Sequence, residues 1–175
     1  MNRTVRAIAF SLMVGFVLVA AAAASGDVGL YGNAAAKADD SLTVEDMLRY
    51  AAQDEYLARG EYVAIMNKFG TMRPFSNIMK AEENHLAWLK DAYAAYEIAF
   101  PADQSAAHLH IPATLLEAYK TGVQAEIDNI AMYDRFLASP LIQGAEYADL
   151  KTLFTNLRNA SENHLRAFQN QLAKY

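Results

Sequence analysis

From residue 43 onward, apolar side chains return every three or four positions, the spacing that gives a helix one buried face. The first stripe is Leu48, Ala51, Glu55, Ala58, Tyr62, Ile65 and Phe69. Thr43 is placed to cap its helix, Glu45 and Asp46 fall in the first turn where acids favour the helix dipole, and Gly70 closes it. A second stripe, Phe75, Ile78, Glu82, His85, Leu89, Ala92 and Tyr96, predicts a helix over about 74–100, stopped by Pro101. The third, Leu116, Tyr119, Val123, Glu126, Ile130, Tyr133 and Leu137, predicts one over about 113–138, broken at Ser139-Pro140. The fourth, Leu150, Leu153, Leu157, Ser161, His164, Phe168 and Leu172, predicts one over about 145–174. No stretch shows the two-residue period of a strand. The pattern predicts an all-α chain of two helical hairpins, joined by a loop containing Pro101 and Pro112 that is long enough to cross the bundle or its end.

Five polar residues interrupt these stripes near the middle of each helix: Glu55, Glu82, His85, Glu126 and His164. The interruption is duplicated. AEENHL at 81–86 returns as ASENHL at 160–165, and Glu55 precedes Tyr62 by seven residues as Glu126 precedes Tyr133. Burying an unpaired carboxylate costs several kcal/mol, so each of these groups needs a partner, and a divalent cation satisfies several at once. Glu82 and His85, three apart, share one helix face, as paired metal ligands on a helix must. Ser161 stands three residues before His164, where the matching carboxylate would be, while Glu162 points to another face. Tyr62 and Tyr133 are placed to hydrogen-bond and orient the carboxylates. Asp54, Glu61, Glu83 and Glu162 read as outer-face charge, Trp88 as packing, and His108 and His110 as solvated loop residues.

Composition narrows the field. The 175 residues suit one domain and are 54% hydrophobic, enough for a core. A formal charge of −5 without a basic cluster argues against nucleic acid. With no cysteine there is no disulfide, thiolate metal site, iron–sulfur cluster or lipoprotein anchor. At the N-terminus, Arg3 and Arg6 precede an apolar run from Ala7 to Ala24, and Ala22-x-Ala24 fits a signal-peptidase site, with Ala34-x-Ala36 a second candidate. Residues 1–24 therefore read as a signal peptide, with a retained N-terminal anchor as the alternative. Residues 25–40 read as a flexible tether and 41–175 as the bundle. The expected setting is periplasmic or extracellular, with membrane contact only through an uncleaved N-terminal segment.

One lone glutamate, then Glu-x-x-His, then a second glutamate and a second histidine helix resembles the ferritin-like superfamily, which includes rubrerythrins and bacterioferritins. The segments FSNIMKAEENHLAWLKDAY and SENHLRAF are similar to an uncharacterised prokaryotic branch, domain of unknown function 2202. The resemblance spans about 43–174. It implies a ferritin-like antiparallel four-helix bundle with a long crossover between its hairpins. It also implies a di-metal centre, usually iron, that reacts with oxygen or peroxide. The implied ligands are Glu55, Glu82, His85, Glu126 and His164, with Glu82 bridging. Ser161 departs from the pattern and leaves open a lopsided pair or a single metal. Manganese and zinc also accept these ligands. Turnover would need an external electron donor, since the chain lacks rubredoxin-like cysteines. A non-catalytic metal buffer and a structural or interaction bundle with a vestigial site are the alternatives, and a homodimer is compatible with either.

Overall fold

The computed structural model describes residues 29–175, so the predicted signal peptide lies outside the described residues. Five α-helices follow in order: α1 (Gly32–Ala38), α2 (Val44–Phe69), α3 (Phe75–Ala95), α4 (Leu115–Ala138) and α5 (Ala148–Leu172). Short 3-10 turns occupy Ser105–Ala107, Pro140–Ile142 and Ala145–Tyr147, and there is no strand among the described residues. The chain is all-α.

The predicted cap at Thr43 is in place. The Thr43 hydroxyl accepts from Asp46 N, whose carboxylate accepts from Thr43 N in return, and Thr114 and Glu117 form the same reciprocal box on α4. Other boundaries move. Helix α3 stops at Ala95, before Pro101, because Glu97 adopts φ 56° and Ile98 N donates back to Tyr93 O at 2.9 Å. Residues 145–147, expected in the last helix, form a 3-10 turn ahead of α5.

Contacts along the helices set their directions. Helices α2 and α3 pack as one hairpin and α4 and α5 as another. Tyr62 reaches Glu126 while Tyr133 reaches Glu55, so α2 and α4 run antiparallel. Phe75 meets Phe168 while Tyr96 meets Tyr147 just before α5, so α3 and α5 do too. The end of α3 and the start of α4 therefore lie at opposite ends of the bundle. Residues 96–114 span the distance by climbing α2: Tyr56 donates to Pro101 O, Arg59 pairs with Asp103, Glu61 accepts from His110 N and Lys68 donates to Pro112 O.

The core is split. Leu48, Leu89, Tyr133, Phe136, Phe154 and Leu157 belong to one buried cluster, and Tyr62, Ile65, Phe75, Tyr119 and Phe168 to another. The polar stripe residues lie between them.

The predicted tether, residues 25–40, is corrected by its described part. Helix α1 docks on α2 and α4. Asp54 Oδ1 accepts from Asn33 N at 2.9 Å and Asn33 Nδ2 at 2.7 Å, and Arg135 donates to Ala36 O and Asp39 O. Asp54 is thus buried beneath α1 rather than on an outer face. Gly32 makes the dock possible. Its φ is 57°, and a Cβ there would lie 2.7 Å from Asp54 Oδ1 and 3.1 Å from Asp54 Cα. Gly32→Ala is expected to cost about 1–2 kcal/mol in left-handed strain alone, before the clash with Asp54. Lys37 sits exposed on α1, so tryptic cleavage after it should accelerate in this variant. An unchanged cleavage rate would show that the dock does not hold α1.

Candidate metal centre

The stripe residues converge from all four long helices: Glu55 from α2, Glu82 and His85 from α3, Glu126 from α4 and His164 from α5. All five are buried, His164 being the most open at 8% exposure. His85 Nδ1 lies 3.0 Å from Glu55 Oε2 and 2.6 Å from Glu82 Oε2. His164 Nδ1 lies 3.4 Å from Glu82 Oε1 and 3.5 Å from Glu126 Oε1. Two groups result, Glu55–Glu82–His85 and Glu82–Glu126–His164, and within each the ligand atoms fall within 4.8 Å of one another. Glu82 belongs to both, with one oxygen facing each histidine.

The tyrosines serve across helices. Tyr62 on α2 donates to Glu126 Oε1 at 2.9 Å, and Tyr133 on α4 donates to Glu55 Oε1 at 2.8 Å. Seven residues are two turns, about 10 Å along a helix. Between antiparallel helices that offset brings each tyrosine level with its partner's glutamate. Burial, then the adjacent carboxylate charges, hold both phenols well above their ordinary range, so both remain donors.

Neighbouring carboxylates in one buried layer disfavour one another's charged forms. Burial, then the charge of Glu55, pushes Glu82 well above the usual carboxylate range. Burial also raises Glu55, but the charge of His85 and hydrogen bonds from His85, Glu82 and Tyr133 outweigh it and leave Glu55 below its ordinary value. Burial lowers His85, and Glu55 more than reverses this. The surroundings thus favour the charged forms of Glu55 and His85 and the protonated form of Glu82. One oxygen still has no partner: Glu126 Oε2 is buried and accepts nothing. An enclosed acceptor of this kind costs about 1–3 kcal/mol. A donor set of three carboxylates and two imidazoles, with an orphaned oxygen among them, fits iron, manganese or zinc.

Three residues stand where the sequence pattern did not put them. Asn129 is buried at 6% exposure with Oδ1 unpartnered. It lies beside the predicted α4 stripe, on the heptad Gly122–Asn129–Phe136, which is buried as well. That heptad was the available signal. Trp88 is corrected from packing to surface: it is 45% exposed, its ring 5.2 Å from that of His85. Asp54 is pushed up to about 7 by burial, with the bond from Asn33 N opposing and Glu55 adding to the rise. Ser161 is buried in the α5 stripe as predicted, and His108 stacks on Tyr31 in the crossover, away from the centre. A cleft of about 450 Å³ between the start of α3 and the end of α5 reaches His164, bordered by Asn77, Asn163 and Ala167.

No protein-family model matches the chain. In sequence it is similar to an uncharacterised protein, MJ0754 of Methanocaldococcus jannaschii, 28% identical over 133 residues, covering 70% of this chain and 71% of that protein. In structure it is similar to the crystal structure of hypothetical protein MJ0754 from Methanococcus jannaschii, with a TM-score of 0.64 and 24% identity over 78% of this chain and 85% of that one. This likeness places the fold among solved proteins and carries no activity.

Tyr133→Phe removes the donor to Glu55 Oε1 and leaves a buried carboxylate oxygen unmet. Urea unfolding of the metal-free protein should show a loss of about 1–3 kcal/mol. Equal stability would mean that the hydroxyl does not hold the carboxylate.

Proposed function

We propose that this chain is a ferritin-like four-helix bundle that binds two iron or manganese ions and reacts with oxygen or peroxide. The observation that carries the proposal is the pair of buried ligand groups sharing Glu82. Glu55 and His85 would hold one ion, Glu126 and His164 the other, and Glu82 would bridge them. Iron or manganese held there would supply one-electron redox chemistry toward a small oxidant. The chain's own residues set the conditions. Tyr62 and Tyr133 orient Glu126 and Glu55 by donating to Oε1 of each. The two apolar clusters above and below exclude water from the layer. The cleft at His164 gives a small oxidant a route inward, which favours turnover over a closed metal buffer. Reducing equivalents would come from an external donor. An exported setting rests on the charged-then-apolar pattern of residues 3–24 alone, and no described helix is long and apolar enough to cross a membrane.

A non-catalytic role is the second reading, favoured by Ser161, which leaves His164 without a carboxylate three residues before it, as His85 has in Glu82.

Anaerobic loading with Fe(II) followed by elemental analysis tests binding, and exposure to oxygen or peroxide tests turnover. Close to two ions per chain, then oxidation faster than that of free Fe(II), is the expected result. Bound iron indifferent to both oxidants would leave the buffer reading, and no bound iron in a folded protein would end both. Trp88 reports independently, since it is the chain's single tryptophan and lies 5.2 Å from the His85 ring. Fe(II) should quench its fluorescence in the wild type and quench it less in His85→Ala, which keeps the group at His164.

A further inference from the structure

Two acceptor oxygens on α4, Glu126 Oε2 and Asn129 Oδ1, are buried and lack any hydrogen-bond partner. They come from residues three apart, neighbours on adjacent turns of one helix face. A single orphan acceptor can reflect local misfit. Two from adjacent turns, both enclosed, point to something electropositive that both are meant to meet. The third orphan, the Tyr31 hydroxyl, is separate, its ring stacked on His108 in the crossover.

Helix register places Asn129. Heptad Gly122–Asn129–Phe136 of α4 faces heptad Phe154–Ser161–Phe168 of α5. Phe136 packs on Phe154 with ring centroids 5.4 Å apart, and a Cβ on Gly122 would lie 2.8 Å from the Phe168 ring. With both ends matched, the middle members, Asn129 and Ser161, fall opposite each other. By the same register Glu126 falls opposite His164 one turn away, where His164 Nδ1 lies 3.5 Å from Glu126 Oε1. Ser161 is 2% exposed and its side chain is too short to replace a carboxylate. The gap it leaves is therefore faced by the one buried amide in the layer.

We propose that Asn129 Oδ1 joins Glu82, Glu126 and His164 as a neutral oxygen donor to one divalent cation, in the place of the carboxylate that position 161 lacks. This deepens the metal-binding reading and rests on it. Its consequence is an unequal pair. Each group has two carboxylates and one imidazole, Glu82 being shared, and only the His164 group adds an uncharged amide oxygen. The two groups thus differ in the number of oxygen donors, so the two ions bind with different affinity.

The test is a titration of the metal-free chain with Co(II) alone, followed by calorimetry and visible absorption, together with thermal melts before metal is added. Wild type should take up two ions in separable steps. Asn129→Leu should weaken one of the two steps about tenfold or more while leaving the other unchanged. Its metal-free melting temperature should rise, because an unmet buried acceptor is gone. Asn129→Asp, nearly the same shape and thus able to fold if the leucine variant does not, should tighten that same step by a similar factor. Two steps of wild-type affinity in both variants would overturn the proposal and leave the metal centre standing. A single wild-type step indifferent to both substitutions would also overturn it. No Co(II) uptake by folded wild type would remove the metal reading itself, and this inference with it.

Discussion

Three glutamates enclosed in one layer of a helical bundle repel one another, and most of the structure near them responds to that repulsion. The Glu82 carboxyl is pushed up by burial and by Glu55, the charge of Glu55 raises His85 against its burial, and Tyr62 and Tyr133 each give a hydrogen bond to a carboxylate on another helix. Even so, an oxygen of Glu126 goes unmet. A core able to place Leu or Phe at these positions would gain stability, since buried ionic clusters seldom outdo well-packed apolar ones. The two apolar clusters on either side of the layer supply the stability that the layer itself forgoes.

The arrangement depends on the crossover. If α3 had turned directly into α4, the two helices would form another antiparallel pair and α2 would run parallel to α4. The long climb of residues 96–114 along α2 instead makes α2 and α4 antiparallel. Only in that sense does a seven-residue spacing on each helix set each tyrosine against the other helix's glutamate. The ties along the climb, Arg59 to Asp103 and Lys68 to Pro112 O among them, thus bear on the centre without touching it.

Helix α1 adds a second connection to the layer. Its first turn is held by Asp54, the residue next to Glu55, and its far end by Arg135, two residues beyond Tyr133. The segment after the predicted leader is therefore packed on the two helices that carry the reciprocal tyrosine–glutamate bonds. Its docking geometry needs a glycine at position 32, where any side chain would collide with Asp54.

The sequence by itself determined the helices and the five polar residues on their inner faces, because helical periodicity is local and a buried carboxylate in an apolar stripe is conspicuous wherever it occurs. It also marked both tyrosines and the missing carboxylate at Ser161, through the duplicated spacing. Tertiary structure decided the rest. Helix α1, too short and alanine-rich to announce itself, forms because Asp54 and Arg135 meet its ends. Asp54 looked like surface charge until α1 covered it, and Trp88 looked like core but lies half-exposed at a cleft that α3 shares with the start of α5. Asn129 escaped notice because α4 is buried over a wider arc than one stripe, a width set by α5 packing beside it. A stripe says which way a helix faces, but how much of it is covered, and which residue meets which across the gap, depends on helices distant in the chain.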